Sequence, residues 1–237
     1  SPNTMITLDH WISSDRRVFE TKKDRIHAAL NGSTGIINGV TEENKVDIFY
    51  MLLFCLCVPQ SKAIKAEEAI DILRKNDYYH NVLSRGRILE ILTGRVRFQS
   101  VKCERLMKAK EMFLESDHLW LALAGYYREY VAHPSDRQGI LERASKYLIG
   151  KVKGVGRKLA SHFLRNVGMP GLVILDVHVI SGMRKRGLIK ESDVKPLSGA
   201  RYDYASQVMR EYAKQVGISI DELDMLLWSE KTGFVFK

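Results

Sequence analysis

Two glycines, Gly154 and Gly156, constrain this chain more than any other feature, because they separate two stretches with helical periodicity, 137–149 and 157–167. Glycine allows a tight turn and a close approach of the backbone to another group. The N–H groups that begin the following helix can bind an anion. The spacing therefore predicts a helix–hairpin–helix that holds a DNA phosphate, with an ordinary turn between two helices as the alternative. The Gly-x4-Gly-Lys-Ser/Thr spacing of a P-loop is absent.

Most of the remaining sequence also has the periodicity of amphipathic helices. Polar residues at 13–15, 61 and 176 are placed to cap three of these helices. No strong alternating strand and no internal repeat is present, so the sequence predicts an all-α fold of many short helices. The predicted helices lie at about 16–30, 41–57, 61–75, 77–84, 86–92, 101–115, 117–131, 176–185, 201–216 and 220–230.

The charge of the chain favours a polyanionic partner. There are 37 Lys and Arg against 28 Asp and Glu, a net charge of +9, which suits either nucleic acid or an anionic membrane. No apolar run approaches the roughly 18 residues of a membrane span, and the most apolar stretch, 48–58, ends at Pro59. The first residues lack the basic and apolar regions of a signal peptide. We therefore expect an intracellular, cytoplasmic protein.

The cysteines predict neither a zinc site nor a cluster. Cys55, Cys57 and Cys103 lack the spacing of zinc ligands and the four-cysteine set of an iron–sulfur cluster. Cys55 and Cys57 fall in the apolar stretch, where cysteine usually acts as a small buried hydrophobe. We expect reduced, buried cysteines and no iron–sulfur cluster.

Lys158 is a candidate nucleophile. It stands in the first turn of a predicted helix, where the positive end of the helix dipole and the neighbouring Arg157 disfavour the charged form of its amine. A neutral amine is a nucleophile that forms Schiff bases. The alternative is an exposed lysine that binds phosphate.

Asp176 is a second candidate for a catalytic role. Its neighbours Ile174, Leu175 and Val177 are apolar, and a carboxylate in such surroundings is costly unless it has a partner. A helix N-cap is the commoner role for such an aspartate. Next to an amine nucleophile it could instead stabilise a cationic sugar and help to move protons.

Four sequence motifs carry a resemblance to a known family. They are Gly154–Lys158 with Leu175–His178, the stretch Ala160–Gly168, the corner Pro59–Ala63, and the ending Leu227-Trp228-x3-Thr232-Gly233-x3-Lys237. Together they resemble the helix–hairpin–helix DNA glycosylase superfamily, and within it the type-2 8-oxoguanine DNA glycosylase/AP lyases of archaea and some bacteria. The similarity covers about residues 47–237.

The resemblance implies a two-domain, all-α helix–hairpin–helix glycosylase fold with the active site in the cleft between the domains. Residues 46–167 would form a barrel-like helical domain that ends in the hairpin. Residues 1–45 and 168–237 would form the second helical domain. Around 126–140 the chain is longer than short members of the family, which leaves the helix count of that region open.

The resemblance also implies a role for each matching residue. Lys158 matches the Schiff-base lysine and Asp176 the essential aspartate. Gln60 matches the residue that fills the gap left by an extruded base. The other implied DNA contacts are Gly154, Gly156, the backbone of Leu159 and His178.

Base recognition and a cation site follow from the same resemblance. Trp228, Lys237 and Phe98 match residues that hold the damaged base. The chain-terminal carboxylate of Lys237 would accept a hydrogen bond from the N7–H that distinguishes 8-oxoguanine from guanine. The backbone carbonyls of Gly150, Val152 and Val155 match a site for a structural Na⁺ or K⁺. No cofactor is required.

The function implied is that of a bifunctional enzyme that excises 8-oxoguanine through a lysine Schiff base and then cleaves the strand by β-elimination. Its partner would be double-stranded DNA with oxidised guanine, and we expect a monomer that does not bind membranes. Basic faces at 85–87, 95–105 and 184–186 are candidates for holding the DNA backbone. Two alternatives remain: a uracil, thymine-mismatch or adenine glycosylase, most of which lack the lysine, and a non-catalytic DNA-binding module.

Overall fold

The computed structural model describes residues 6–31, 36–190 and 199–233. No β-strand occurs in these ranges, which confirms the all-α prediction. Among the helices described, none is long and apolar enough to cross a membrane. In chain order the helices are α1 (Leu8–Leu30), α2 (Lys45–Cys57), α3 (Ala63–Lys75), α4 (Arg85–Leu92), α5 (Gln99–Lys110), α6 (His118–Ala132), α7 (Arg137–Lys151), α8 (Arg157–Asn166), α9 (Val177–Lys185), α10 (Gly199–Val216) and α11 (Ile220–Thr232).

The chain divides into two compact units. One unit is built from the residues up to Ile36 and from Pro170 onward, and it contains α1 and α9–α11. The other runs from Ile37 to Met169 and contains α2–α8. The candidate site residues therefore fall into two groups, one in each unit.

Helix α2 forms the core of the unit 37–169. Every residue from Ile48 to Cys57 is buried. The helix contacts α3, α5 and α8, and a helix surrounded in this way needs apolar residues on all its faces. This accounts for the apolar stretch in the sequence. It also places Cys55 and Cys57 as buried free thiols, as predicted.

The unit formed by α1 and α9–α11 has a separate apolar core, which includes Phe19, Ile26, Met183, Tyr212 and Leu227. Helix α9 packs closely on α11 at Gly182, where an added Cβ would lie 3.2 Å from a methyl carbon of Leu227. This close pair of helices carries the candidate residues of the unit.

Three local predictions were wrong, two of them because a polar residue has a distant partner. Helix α1 begins at Leu8, with Thr7 accepting a hydrogen bond from the N–H of His10 at 3.3 Å, so the polar residues 13–15 lie inside the helix. Ser61 does not cap α3, whose N-cap position is Lys62. Residues 77–84 form turns rather than a helix, and Asp77 has a positive φ of 49°.

Candidate active site

The predicted helix–hairpin–helix is present between α7 and α8. The backbone is extended at Val152, where φ is −102° and ψ is 113°. It then closes a turn in which the N–H of Val155 donates to the carbonyl of Val152 at 3.1 Å. Gly156 follows in an extended conformation, with φ −107° and ψ −172°, and occupies the N-cap position of α8. A glycine N-cap has no side chain over the helix end, so the first N–H groups of α8 are open to an anion.

The two glycines of the hairpin meet different surroundings. Gly154 has φ +95°, and a Cβ added to it would lie 2.5 Å from Cδ and 2.7 Å from Nε of Arg105. The Nε of Arg105 is buried and makes no hydrogen bond in the part of the chain that the structure describes. A Cβ on Gly156 would meet nothing within 4 Å. Gly154 is therefore required by the fold itself, whereas Gly156 leaves space for a ligand.

Lys158 is the second residue of α8 and is half-buried. Leu159, the next residue of α8, is buried. Lys158 thus lies in the first turn of α8, at the same helix end as the open N–H groups. Its catalytic role remains a prediction.

The rest of α8 is structural. Residues from Leu159 to Asn166 are all buried, including the polar side chains of His162 and Arg165. The Asn166 amide lies 3.1 Å from Nε2 of His162, and its carbonyl oxygen accepts from Nε of Arg165 at 3.2 Å. The motif Ala160–Gly168 therefore fixes α8 in the core, and through it the position of Lys158.

The carbonyls predicted to hold a cation lie at the end of α7 and in the hairpin. Gly150 is in the last turn of α7, where carbonyls have no helical partner further along the chain. The carbonyl of Val152 already accepts the turn hydrogen bond from Val155 and keeps a second lone pair. Neutral oxygen donors of this kind suit Na⁺ or K⁺. Across the described ranges, no cluster of three His, Cys, Asp or Glu side chains is placed to hold a metal ion.

Gln60 lies at an exposed corner between α2 and α3. The N–H of Ser61 donates to the carbonyl of Val58 at 2.9 Å, which closes a turn with Pro59 and Gln60 at its centre. Gln60 has a positive φ of 56°. Such a conformation is uncommon outside glycine and occurs often at functional sites.

Phe98 lies next to this corner. Its φ is also positive, 57°, and 51% of its surface is exposed. The backbone N–H of Arg97 donates to Oγ of Ser61 at 2.8 Å, which joins the turn before α5 to the corner that carries Gln60. The structure therefore brings Gln60 and Phe98 to the same region of the unit 37–169.

A buried residue that the sequence analysis did not single out connects these two turns. Lys102, in α5, is only 2% exposed, and its ammonium donates to three oxygens on the Gln60 corner. The sequence contained a signal: Lys102 shares the buried face of α5 with Cys103, Leu106 and Ala109. A lysine at a core position must have oxygen acceptors.

In the other unit, Asp176 is the N-cap of α9. Its Oδ1 accepts a hydrogen bond from the N–H of Val179 at 2.8 Å, so the predicted capping role is confirmed. The cap engages one carboxylate oxygen, and the residue is only half-buried. His178 meets Trp228 of α11 edge-to-face, with ring centroids 5.9 Å apart. Lys237 lies outside the described residues.

The predicted basic faces are less available to DNA than the sequence suggests. Arg85, Arg87 and Arg95 each pair with a glutamate. Arg186 is buried between Asp15 and Glu230, and its Nε and Nη2 donate to Asp15 at 2.7 Å each. The interpretation of Arg186 as part of a DNA-binding face is therefore wrong, because the fold uses it to join α1, α9 and α11.

Comparisons with known proteins show which family this chain is similar to. The family described as 8-oxoguanine DNA glycosylase matches residues 37–218. The 8-oxoguanine DNA glycosylase/AP lyase of Fusobacterium nucleatum is 32% identical over 194 residues, which cover 81% of this chain and 82% of that protein. The Saccharolobus islandicus enzyme of the same name is 34% identical over 189 residues, covering 80% and 84%.

Solved structures share the fold. The 8-oxoguanine DNA glycosylase of Thermotoga maritima superposes with a TM-score of 0.75 at 24% identity, covering 97% of this chain and all of the other. The Methanocaldococcus jannaschii 8-oxoguanine glycosylase/lyase, in complex with a 15mer DNA containing 8-oxoguanine, gives 0.72 at 23% identity, covering 94% and 99%. With the family match spanning most of the sequence, this chain belongs to the 8-oxoguanine DNA glycosylase family.

Proposed function

We propose that this chain excises 8-oxoguanine from duplex DNA and cleaves the strand at the resulting site, with Lys158 as the nucleophile and Asp176 as the group that stabilises the sugar cation. The observation that carries the proposal is the position of Lys158, two residues after the glycine N-cap of α8. A phosphate held at that helix end places the neighbouring deoxyribose within reach of the amine.

The first step is extrusion of the damaged nucleotide. A base inside a duplex is out of reach, so it must leave the stack, at a cost of roughly a few kcal/mol. Gln60, on its exposed corner, fills the space that the base leaves. Trp228, whose ring is packed edge-to-face against His178, offers an aromatic surface for the extruded base. His178 and the backbone around Gly154, Gly156 and Leu159 hold phosphates without reading the sequence.

The chemical steps follow from an amine nucleophile. The Lys158 amine attacks C1′ while the bond from C1′ to N9 of the base breaks, and the base leaves with the electron pair. Asp176 offsets the positive charge that develops on the sugar. Opening of the ring gives an imine between Lys158 and C1′. Loss of a proton from C2′ then expels the 3′ phosphate, which cleaves the strand.

The remaining details of the proposal concern partners and ions. A Na⁺ or K⁺ held by the carbonyls of Gly150, Val152 and Val155 would support the hairpin without taking part in the reaction. The chain would act as a monomer on chromosomal DNA in the cytoplasm. Size-exclusion chromatography with and without a lesion duplex tests whether it is a monomer.

Borohydride trapping tests the nucleophile, because borohydride reduces the imine to a stable covalent link. We expect the protein to be trapped on duplexes carrying 8-oxoguanine or an abasic site. Lys158→Gln should abolish trapping. Lys153→Gln is a matched control, since it removes an exposed lysine from the same hairpin and should leave trapping intact. Trapping that survives Lys158→Gln would move the nucleophile to another residue.

The same assay separates the alternatives. An enzyme specific for uracil or for thymine mismatches would act on duplexes carrying those bases and leave 8-oxoguanine in place. A non-catalytic binding module would bind damaged and intact duplex alike and would form no covalent complex with any of them.

A further inference from the structure

Lys102 is a buried cation with an unusual set of partners. Its Nζ donates to the carbonyl of Cys57 at 2.8 Å, the carbonyl of Pro59 at 2.6 Å and Oγ of Ser61 at 3.0 Å. All three oxygens belong to the segment that leaves α2 and forms the Gln60 corner. Because an ammonium has three donors, these contacts satisfy the group completely.

The protonated form of Lys102 is the one that suits this site. Burial lowers the pKa of the amine to about 8, so the group still carries its proton at neutral pH. The carbonyl of Cys57 ends α2, and the negative end of a helix dipole favours a cation there. The three hydrogen bonds are therefore available under the conditions in which a repair enzyme works.

The bond to Pro59 controls the conformation of the corner. Pro59 and Gln60 are the two central residues of the turn from Val58 to Ser61. Proline at the first central position and a positive φ at the second are the features of a type II turn. A type I turn differs by a rotation of the peptide group between these two residues, and it would bring φ of the second residue to about −90°.

Left to local preference, glutamine does not favour the observed turn, since positive φ is a conformation that glycine adopts readily and other residues seldom do. The peptide group that would rotate is the one whose oxygen is bound by Lys102. Lys102 therefore holds the corner in the orientation that presents the Gln60 side chain as observed.

Lys102 also reaches the second left-handed residue of this region. Ser61 Oγ accepts from both the Lys102 ammonium and the N–H of Arg97, immediately before Phe98. The carbonyl of Phe98 in turn accepts from the N–H of Lys102 at 3.0 Å. The buried ammonium thus contacts the Gln60 corner directly and the turn before α5 through Ser61, and each of these turns carries an exposed residue with positive φ.

From this arrangement we infer that Lys102 is a positioning residue for base extrusion: it locks the Pro59–Gln60 turn so that Gln60 enters the duplex. The inference rests on the proposed function, in which Gln60 fills the gap left by the base. Lys102 itself contacts neither the DNA nor the reacting atoms.

Extrusion is measured by stopped-flow fluorescence on a duplex in which 2-aminopurine flanks 8-oxoguanine, because 2-aminopurine brightens when its neighbour leaves the stack. The variants are Gln60→Ala, Lys102→Met and the double variant. Lys108→Met is the matched control: it makes the same substitution on the same helix, but Lys108 is exposed and its ammonium pairs with Glu111 on the surface.

Borohydride trapping on a single-stranded oligonucleotide with an abasic site is the second readout, because that substrate needs no extrusion from a duplex.

We expect Gln60→Ala and Lys102→Met each to slow extrusion by about tenfold, which corresponds to roughly 1.4 kcal/mol in the barrier. The double variant should be slower than either single variant by no more than about twofold, since residues that act through one another are not additive. Lys108→Met and all single-strand trapping should match the wild type.

Two results would overturn the inference. One is a double variant whose extrusion rate falls by the product of the two single fold-changes. The other is loss of single-strand trapping in Lys102→Met. If circular dichroism shows that Lys102→Met is unfolded, Ser61→Ala decides instead. It removes one of the three acceptors, and its slower extrusion should vanish in a Gln60→Ala background. An additive effect there rejects the positioning role. Wild-type protein that forms no trapped complex would instead refute the proposed function.

Discussion

Replacing Gly154 with alanine should destabilise the protein by a predictable amount. The backbone at Gly154 has φ +95°, which costs an L-residue about 1–2 kcal/mol. The new Cβ would also lie 2.5 Å from Cδ of Arg105, so that side chain must leave its rotamer, at about 0.5–1.5 kcal/mol. The sum is a loss of about 1.5–3.5 kcal/mol in the free energy of unfolding.

Gly156 provides the opposite case within the same hairpin. Its φ of −107° is open to any residue, and an added Cβ meets nothing within 4 Å. Alanine there should change stability by no more than about 0.5 kcal/mol, because its restriction of the unfolded chain offsets its weaker preference for the N-cap position. If a DNA phosphate approaches this glycine closely, however, the same methyl group should weaken DNA binding by about tenfold, or roughly 1.4 kcal/mol.

Urea denaturation followed by circular dichroism gives the two stabilities, and fluorescence anisotropy with a duplex containing a non-cleavable abasic analogue gives the affinities. Adding Arg105→Ala to Gly154→Ala should recover the part of the loss due to the clash and leave the part due to φ. Equal stability of Gly154→Ala and wild type would refute the account of the hairpin. Unchanged affinity of Gly156→Ala would refute a close phosphate.

Three further predictions concern other parts of the chain. Asp176→Asn should keep its stability within about 0.5 kcal/mol, because Asn caps a helix as well as Asp, yet excision measured by gel assay should fall by about 100-fold or more. Arg186→Met should cost about 3–5 kcal/mol in urea denaturation, because it leaves the buried Asp15 carboxylate without its counter-charge and with the Tyr212 hydroxyl as a remaining donor. Asp15→Asn should restore part of that loss. Burial raises the pKa of Cys57 to about 12, so its thiol should resist Ellman's reagent at about pH 8 until the protein is unfolded. The folded thiol keeps its proton to higher pH than the unfolded thiol does. Its contribution to the free energy of unfolding should therefore be lost as pH rises from about 8.5 towards 12.

Local sequence patterns were sufficient to predict the hairpin and the start of α9. Both depend on residues close together in the chain: two glycines between periodic stretches, and an aspartate three residues before the N–H that it caps. The structural motif Ala160–Gly168 was found by resemblance, whereas its burial follows from the contacts of α8 with α2 and α7. Where pattern and tertiary contact agree, the sequence is informative.

The predictions failed where a polar residue has a distant partner. Ser61 stands before an apolar stripe, as an N-cap does, but its hydroxyl accepts from Arg97 and Lys102 instead. Asp15 lies in a similar context and is paired with Arg186, which is 171 positions away. Lys102 was counted within a basic stretch because charge alone does not reveal which face of a helix is buried. No local rule distinguishes Ser61 and Asp15 from their exposed counterparts, whereas the apolar residues on the same face of α5 did indicate that Lys102 is buried.

The division of the chain has a consequence for its synthesis. Helix α1 is synthesised before the other helices described, yet two of its partners come much later: Arg186 lies 171 positions after Asp15, and Ser229 lies 207 positions after Lys22. At roughly 5–20 residues per second, translation leaves α1 without them for about 10–40 s. Residues 37–169, by contrast, form one continuous segment, so the contacts inside this unit do not depend on any later part of the chain. On the ribosome, the unit that carries Lys158 can therefore fold before the helices that cover the apolar face of α1 have been synthesised.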